Sequence, residues 1–315
     1  MQPATPLTAQ QHNRQILTGC LFVLLAAFGF SAKAILVKLA YLADPGLDAV
    51  TLMLLRMAIS LPFFLAVAVW SNRPAKNPTG LLPMKLRDWF IVLILGFLGY
   101  YLSSLLDFKG LTYISAGLER LILYLYPTFV VLLTAGYYRK AINRHQILAL
   151  LLTYAGIALV YTNYKLQSNA PSLLLGSAFV AGSAMTFALF LVSSGVLIKR
   201  IGSVRFTAYT MTAACLLTGM HYLISHGDKP LHLAIRIYGL AGIMAIFSTV
   251  LPSFLLNAGI QRIGASSASI ISSAGPIGTL VLAFFLLGEA ITPSQIAGTL
   301  LVLVGVYVVS RTQSH

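Results

Sequence analysis

The chain contains, from Gly110 to Tyr161, the stretch GLTYISAGLERLILYLYPTFVVLLTAGYYRKAINRHQILALLLTYAGIALVY. It repeats this stretch 149 residues later, from Gly259 to Ser310, as GIQRIGASSASIISSAGPIGTLVLAFFLLGEAITPSQIAGTLLVLVGVYVVS. No gap is needed, and the shared residues include the pairs Gly110 and Gly259, Ile114 and Ile263, Ala116 and Ala265, Pro127 and Pro276, Gln146 and Gln295, and Gly156 and Gly305. The repeat indicates that the chain arose by duplication.

The composition is that of a membrane protein. Hydrophobic residues make up 58% of the chain, charged residues make up 9%, and the mean hydropathy is +0.87. Such a chain has too little polar surface for a water-soluble fold. We therefore expect an all-α membrane protein with ten transmembrane helices, each of about 20 apolar residues. The predicted spans are 16–40, 49–70, 89–107, 118–136, 145–162, 172–198, 206–224, 234–257, 268–287 and 294–310.

The two copies of the repeat differ in the charge of one loop. The first copy has Arg139, Lys140 and Arg144 where the second has Gly288, Glu289 and Pro293. Basic loops mark the cytoplasmic side of a membrane protein, so we expect the copies to lie in opposite orientations. Inverted five-helix repeats of this kind are typical of secondary transporters.

The same charge bias predicts the domain organisation and the topology. Both termini are expected on the cytoplasmic side of the membrane. The predicted parts are a tail at 1–15, a first repeat at 16–162, a linker at 163–171, a second repeat at 172–310 and a tail at 311–315.

A few ionisable residues fall inside predicted spans, where each charge costs about 2.5–3.5 kcal/mol at a helix centre. They are Lys33, Arg56, Glu119 and Arg120, with Asp107 close to a span end. We interpret the first four as substrate-binding candidates, and Glu119 as the only carboxylate well inside a span. The alternative is a structural ion pair of Glu119 with Arg56 or Arg120.

Polar and aromatic residues near mid-helix extend the candidate substrate site. They are Tyr101, Tyr124, Phe187, Tyr209, Ser253 and Ser272, for each of which helix packing is the alternative. Pro127 and Pro276 occupy matched positions and are expected to kink their helices near the central site.

Several functions are excluded. The sequence has no HExxH motif, no paired intramembrane carboxylates at helical spacing and no GxxxxGK[ST] loop, so neither an enzyme nor an ATPase is expected. We expect no metal and no cofactor. The net charge of +14 lies in short loops between apolar segments, which does not indicate a nucleic-acid partner.

The second copy resembles the EamA domain of the ten-helix drug/metabolite transporter superfamily. The resemblance rests on Pro276, Gly288-Glu289, Gln295 and Gly298, and on Arg56 within LLRMA. The first copy departs from it, with Tyr138, Arg139 and Lys140 at the positions of Leu-Gly-Glu. The resemblance implies a transporter of the cell's inner (plasma) membrane, with a central cavity between two five-helix halves, that works by alternating access.

Members of that superfamily export amino acids or exchange sugar derivatives. The basic residues in the outer half favour a carboxylate-bearing solute such as an amino acid. A non-transporting scaffold or lipid-handling protein on the same fold is the alternative function. The expected partners are this solute and membrane lipids; the oligomeric state stays open, and a monomer is compatible with the sequence.

Overall fold

The computed structural model describes residues 9–71, 84–138, 144–167, 172–227, 231–272 and 275–312, and these ranges contain helices and no strand. Part of each predicted tail and of the predicted linker, and the loop residues Arg73, Lys76, Arg139 and Lys140, lie outside them. The helices are α1 Ala9–Ala43, α2 Ala49–Ser71, α3 Leu86–Gly96, α4 Ser103–Tyr113, α5 Ala116–Leu123, α6 Tyr126–Tyr138, α7 Arg144–Gln167, α8 Ser172–Ile201, α9 Ser203–His226, α10 Ile235–Ala245, α11 Leu251–Ile271, α12 Gly275–Leu287 and α13 Pro293–Thr312. Two π-helical turns, Phe97–Leu102 and Ile246–Val250, join α3 to α4 and α10 to α11.

Within the described ranges, six helical segments are long and apolar enough to cross a membrane. They are Asn13–Ala43, Ala49–Ser71, Leu86–Tyr113, Ala116–Gly136, Ser172–Ile201 and Ile235–Ala265. The other predicted spans, 145–162, 206–224, 268–287 and 294–310, fall in α7, α9, the end of α11 with α12, and α13.

Helical segments begin at matching positions in the two halves. In the first half they begin at Leu86, Phe97, Tyr126 and Arg144. In the second half they begin 149 residues later, at Ile235, Ile246, Gly275 and Pro293. The spacing found in the sequence is therefore also the spacing of the helices, including the two π-helical turns.

The third helical segment extends further than the sequence predicts. It continues past residue 107 to Tyr113, and Ile114, with extended backbone, ends it. Asp107 consequently lies more than a turn inside a helix, and its side chain is fully buried. The prediction placed the helix end at this residue because it is the first charge after an apolar run, whereas packing against α8 continues the helix beyond it.

Each of the two matched prolines lies in the first turn of a new helix. Helix α5 ends at Leu123, and α6 begins at Tyr126 with Pro127 as its second residue. Pro276 likewise follows the first residue of α12. Proline lacks a backbone N–H and suits the first turn of a helix, where that donor has no intrahelical acceptor. At Pro127, where the sequence predicted a kink, the structure has a break between α5 and α6. Residues 273–274, which precede α12, lie outside the described ranges.

The first helix of each half packs against later helices of the other half. Helix α1 packs against α11 and α12, and α8 packs against α4 and α6. Glycines allow the close approach: a Cβ on Gly110 would lie 2.5 Å from Val180 Cγ2, and one on Gly259 would lie 2.4 Å from Val23 Cγ2. Helix α2 pairs with α9, and α7 pairs with α13.

The outside of the bundle is apolar. Val196, Ile224 and Phe285 are exposed over 74%, 78% and 76% of their surface, and many other large apolar side chains are exposed with them. A continuous surface of this kind would be unfavourable in water. Together with the six apolar helices, it identifies a membrane protein.

Candidate functional site

A cavity of about 80 Å³ lies between the two halves of the chain. It is lined by Ala27, Phe30, Lys33, Arg56, Met57, Gly99, Tyr100, Ser103, Ser104, Arg120, Leu123, Tyr124, Tyr126, Ser183, Phe187, Met211, Ser248, Thr249, Ser253, Leu256 and Ser272. Both π-helical turns contribute to the wall, with Gly99 and Tyr100 from one and Ser248 and Thr249 from the other.

Seven of the ten predicted substrate-binding residues line this cavity: Lys33, Arg56, Arg120, Tyr124, Phe187, Ser253 and Ser272. The structure places the other three elsewhere. The Tyr101 hydroxyl lies 2.9 Å from His221 Nδ1, and the Tyr209 ring packs on Trp89. Glu119 is fully buried behind the cavity wall, next to Arg120.

The repeat could have revealed several lining residues that the sequence prediction did not include, namely Gly99, Ser104, Leu123, Ser248 and Thr249. Ser248, Thr249 and Ser253 follow Gly99, Tyr100 and Ser104 by the repeat distance, and all six line the cavity. Leu123 and Ser272 form another such pair. At these four pairs of positions, the two halves contribute equivalent residues to the wall.

Aromatic rings form one side of the wall. Tyr124 contacts Tyr126, which packs edge-on against Phe187. Phe190 continues the row behind Phe187 and lies edge-on to Tyr100, with 4.8 Å between ring centroids. The Tyr124 hydroxyl donates a hydrogen bond to the carbonyl of Ser272 and so joins the two halves. Such rings make a rigid apolar surface with few polar groups.

Two of the cationic side chains in the wall have protein partners. Lys33 Nζ lies 2.6 Å from Asp107 Oδ2. Arg120 Nη2 donates a hydrogen bond of 2.5 Å to the carbonyl of Phe30, and Arg120 Nε lies 3.8 Å from Glu119 Oε2. Asp107 and Glu119 are fully buried and do not line the cavity. The charges that face the cavity are therefore cationic.

Arg56 is different because its charge lacks a carboxylate partner. Arg56 is 3% exposed, and its Cζ atom lies 4.8 Å from the centre of the Phe108 ring. Its Nε and Nη2 atoms have no hydrogen-bond partner among the described residues. A guanidinium presents several N–H donors in a plane that matches a carboxylate. Arg56 therefore offers unused donors next to the cavity.

Neutral polar groups lie in the cavity wall and next to it. Asn257 Nδ2 donates hydrogen bonds of 2.9 Å to both the Tyr100 hydroxyl and Thr207 Oγ1. Ser103 Oγ and Ser183 Oγ are 3.1 Å apart. The cavity thus combines cations, hydroxyl groups and aromatic rings, which suits a small solute that carries an anionic group.

A carboxylate from the second half holds the beginning of α5. Glu289 Oε1 accepts a hydrogen bond from the Ala116 N–H at 3.1 Å, and Glu289 Oε2 accepts one from the Gly117 N–H at 3.3 Å. A carboxylate at a helix N-terminus is favoured by both the free N–H groups and the helix dipole. The first-half equivalent of Glu289 is Lys140, so this contact has no counterpart of the same charge.

Within the described ranges, no group of three or more His, Cys, Asp or Glu side chains is placed to hold a metal ion. Cys20 and Cys215 are both free thiols.

Known proteins similar to this chain are named as transporters. The sequence matches the EamA-like transporter family at residues 17–162 and again at 174–311. It is 33% identical over 293 residues to the uncharacterized transporter YcbK of Bacillus subtilis (strain 168), covering 92% of this chain and 91% of that protein. It is 28% identical over 305 residues to the uncharacterized transporter sll1319 of Synechocystis sp., covering 91% of each.

A solved crystal structure shares the fold. Its TM-score with this chain is 0.68 at 16% sequence identity, and the match covers 94% of this chain and 97% of that one. The double match to the family, together with the long match to YcbK, identifies the protein. This chain belongs to the EamA-like transporter family, and its relatives are named as transporters and not as enzymes.

Proposed function

We propose that this protein is a secondary transporter that exports a carboxylate-bearing small metabolite, an amino acid or a related solute, across the inner (plasma) membrane by alternating access. The observation that carries the proposal is the buried guanidinium of Arg56, whose donors lack partners at the wall of a cavity between the halves. A buried, unpaired cation is costly and calls for an anion in the working protein.

The proposed topology has ten spans in two inverted repeats, with both termini in the cytoplasm. The matched helix starts and the exchanged contacts of α1 and α8 support two equivalent halves. The exposed apolar side chains of α9, which include Leu216, Leu223 and Ile224, support its contact with lipid. The basic residues at the predicted cytoplasmic helix ends, such as Arg200 and Arg205, support the orientation.

The charge of the cavity supports the proposed substrate class. Lys33, Arg56 and Arg120 line it, whereas Asp107 and Glu119 are buried and do not line it. Alternating access would require the contact of Glu289 with α5 to open on one side of the membrane, as the halves move against each other.

Transport by the purified protein tests this proposal. The chain is reconstituted in vesicles of phosphatidylethanolamine and phosphatidylglycerol that contain labelled L-leucine, L-glutamate, lactate, succinate or glucose. We expect efflux of at least one carboxylate and no efflux of glucose. The Arg56→Gln variant should reduce carboxylate flux about tenfold or more, because a hydrogen bond to a charged group contributes about 1.5–3 kcal/mol.

The matched control is Arg236→Gln, which removes an exposed arginine at the start of α10 and should leave the flux unchanged. Folded protein that carries none of these probes, or that carries glucose as fast as the carboxylates, would contradict the proposal. Full carboxylate flux in Arg56→Gln would contradict the role of Arg56.

A further inference from the structure

Ser248 carries a buried hydroxyl group that has no hydrogen-bond partner among the described residues. The residue lies in the π-helical turn Ile246–Val250, is 1% exposed and lines the cavity between the halves. A buried polar atom lowers stability unless another group bonds to it. The hydroxyl of Ser248 is therefore available to whatever occupies the cavity.

The π-helical turn explains why this hydroxyl has no partner within its own helix. A helical serine or threonine often donates to the carbonyl three or four residues before it, as Ser60 does. For Ser248, those carbonyls belong to Ala245 and Met244. Thr249 Oγ1 donates to the Met244 carbonyl at 3.0 Å, and Ser60 Oγ lies 3.5 Å from the Ala245 carbonyl oxygen. Both acceptors thus already have another hydroxyl group beside them.

Helix α2 brings Arg56 to the same region of the wall. Ser60 lies four residues after Arg56, so the two residues share one face of α2. The Ser60 hydroxyl donates to the Arg56 carbonyl and contacts Ala245, the residue just before the π-helical turn. The face of α2 that carries Arg56 therefore packs against the turn that carries Ser248. Both side chains line the cavity with polar atoms that have no partner among the described residues.

The repeat does not account for the hydroxyl of Ser248. The equivalent residue in the first half, 149 residues earlier, is Gly99. A Cβ on Gly99 would lie 2.3 Å from Phe190 Cγ, so the Phe190 ring fills the space that a side chain would need. A hydroxyl at this position of the repeat therefore occurs in the second half only.

One carboxylate group satisfies both side chains. Its oxygens accept hydrogen bonds, whereas a guanidinium and a hydroxyl group can donate them. A planar guanidinium can donate to both carboxylate oxygens, and each oxygen still has a lone pair for a hydroxyl donor. A neutral solute would satisfy the hydroxyl but leave the buried charge of Arg56 unbalanced.

We propose that Arg56 of the first half and Ser248 of the second half together bind the carboxylate group of the substrate, which makes Ser248 a specificity-determining residue. The bound carboxylate then joins the two halves beside the π-helical turn. This inference rests on the proposed function and adds a residue of the other half to its binding site.

Transport kinetics in the reconstituted vesicles test the role of Ser248. The probe is L-leucine, L-glutamate, lactate or succinate, whichever the wild-type protein carries. Ser248→Ala should raise the KM of this probe about tenfold and change kcat less than about twofold, because a hydrogen bond to a charged group is lost. The same substitution should raise KM much less in the Arg56→Gln background, because the two residues bind one group.

The matched control is Ser177→Ala on α8. Ser177 Oγ also lacks a hydrogen-bond partner among the described residues, but Ser177 does not line the cavity. This variant should keep the KM of the wild type. Neither Ser248→Ala nor Ser177→Ala should lower the melting temperature, because each removes a hydroxyl group that has no partner.

A second measurement needs no transport. Thermal unfolding in detergent is compared in sodium acetate and in sodium chloride at equal ionic strength, with acetate as the smallest probe that has a carboxylate and a methyl group. Acetate should raise the melting temperature of the wild type and of Ser177→Ala above the value in chloride. This difference should vanish in Ser248→Ala and in Arg56→Gln.

Carboxylate flux with an unchanged KM in Ser248→Ala would overturn the inference and leave the proposed function intact. If no probe moves, the proposed function fails. An acetate effect that is absent from the wild type, or equal in the wild type and Ser248→Ala, would overturn the carboxylate site independently.

Discussion

At the scale of single residues, Arg56 combines a functional role with a cost in stability. Its buried donors lack partners, and each such group costs about 1–3 kcal/mol. The cation–π contact with the Phe108 ring stabilises the protein by about 1 kcal/mol and offsets part of this cost. We expect Arg56→Met to keep or raise the free energy of unfolding, by about 1 kcal/mol, while transport falls. Thermal unfolding in detergent and flux measured on the same preparation check this.

The control for that variant is Arg236→Met, in which an exposed charge is removed and the free energy of unfolding should change by less than about 0.5 kcal/mol. A lower melting temperature for Arg56→Met than for this control would mean that Arg56 is a structural residue.

Asp48 gives a prediction for the dependence of stability on pH. Its Oδ1 accepts the N–H groups of Val50 and Thr51 at the start of α2, and its Oδ2 accepts the Thr51 hydroxyl and lies 3.3 Å from His226 Nε2. Partial burial raises the pKa of Asp48, but the hydrogen bonds of Thr51 and Val50, with His226 nearby, outweigh this effect and lower it below 3.8. The stabilisation is therefore complete above about pH 4 and is lost as the pH falls through the folded-state pKa.

Asp48→Ala should cost about 1 kcal/mol at neutral pH, as loss of a helix N-cap does. The difference from wild type should shrink in acid, because Asp48 of the wild type is then protonated as well. Asp48→Asn keeps one capping oxygen and serves as the matched control. A difference that stays constant from neutral pH into strong acid would contradict the assignment.

The sequence predicted those parts of the candidate site that contain charged residues within apolar spans, because a charge is unfavourable inside a membrane. Lys33, Arg56 and Arg120 stand out for that reason, and the structure places all three at the cavity. Asp107 did not stand out because it lies at the end of an apolar run. Its depth depends on the packing of α4 against α8, which composition does not reveal.

At the scale of helices, the contact between α7 and α13 depends on glycine. A Cβ on Gly298 would lie 2.4 Å from Val160 Cγ2 and 2.7 Å from the carbonyl oxygen of Gly156. The carbonyl belongs to the backbone and cannot move aside. Gly298→Ala should therefore destabilise the protein by about 1–3 kcal/mol, which thermal unfolding in detergent would measure.

Gly195 on α8 is the matched control for Gly298, since a Cβ there would meet nothing within 4 Å. Gly195→Ala should be neutral or stabilising by up to about 1 kcal/mol, because alanine favours the helix. Equal effects of the two substitutions would show that the α7 and α13 contact is not close-packed.

The helices themselves were largely predictable, because long apolar runs bounded by polar loops leave few alternatives. Their interruptions were only partly predictable. The φ of +81° at Gly264 breaks α11 between the predicted spans 234–257 and 268–287, where Gln261 and Arg262 interrupt the apolar run. The π-helical turns were not predicted, since a turn with i→i+5 hydrogen bonds needs no particular residue.

At the scale of the whole molecule, Glu289 ties the second half to α5 of the first. We expect Glu289→Ala to favour the state that is open to the outside. Loss of hydrogen bonds to a charged acceptor, roughly 1.5 kcal/mol, would change that population about tenfold. The measurement is the rate at which a membrane-impermeant maleimide labels Ser272→Cys from outside, with Cys20 and Cys215 replaced by Ser.

Glu289→Gln retains one acceptor oxygen and should give a smaller change. An unchanged labelling rate in Glu289→Ala would mean that this contact does not hold the outer end of the molecule closed.

The π-helical turn at Phe97–Leu102 also determines which single-residue deletions the protein tolerates. A turn closed by i→i+5 bonds holds one residue more than an ordinary α-helical turn. Deletion of Leu102 could return this turn to the α-helical form while the residues before and after it keep their faces. Deletion of one residue inside α4, before Asp107, would instead rotate the carboxylate by about 100° relative to the residues before it and away from Lys33. Both deletions shorten the chain by one residue, but we expect the protein to tolerate only the deletion of Leu102.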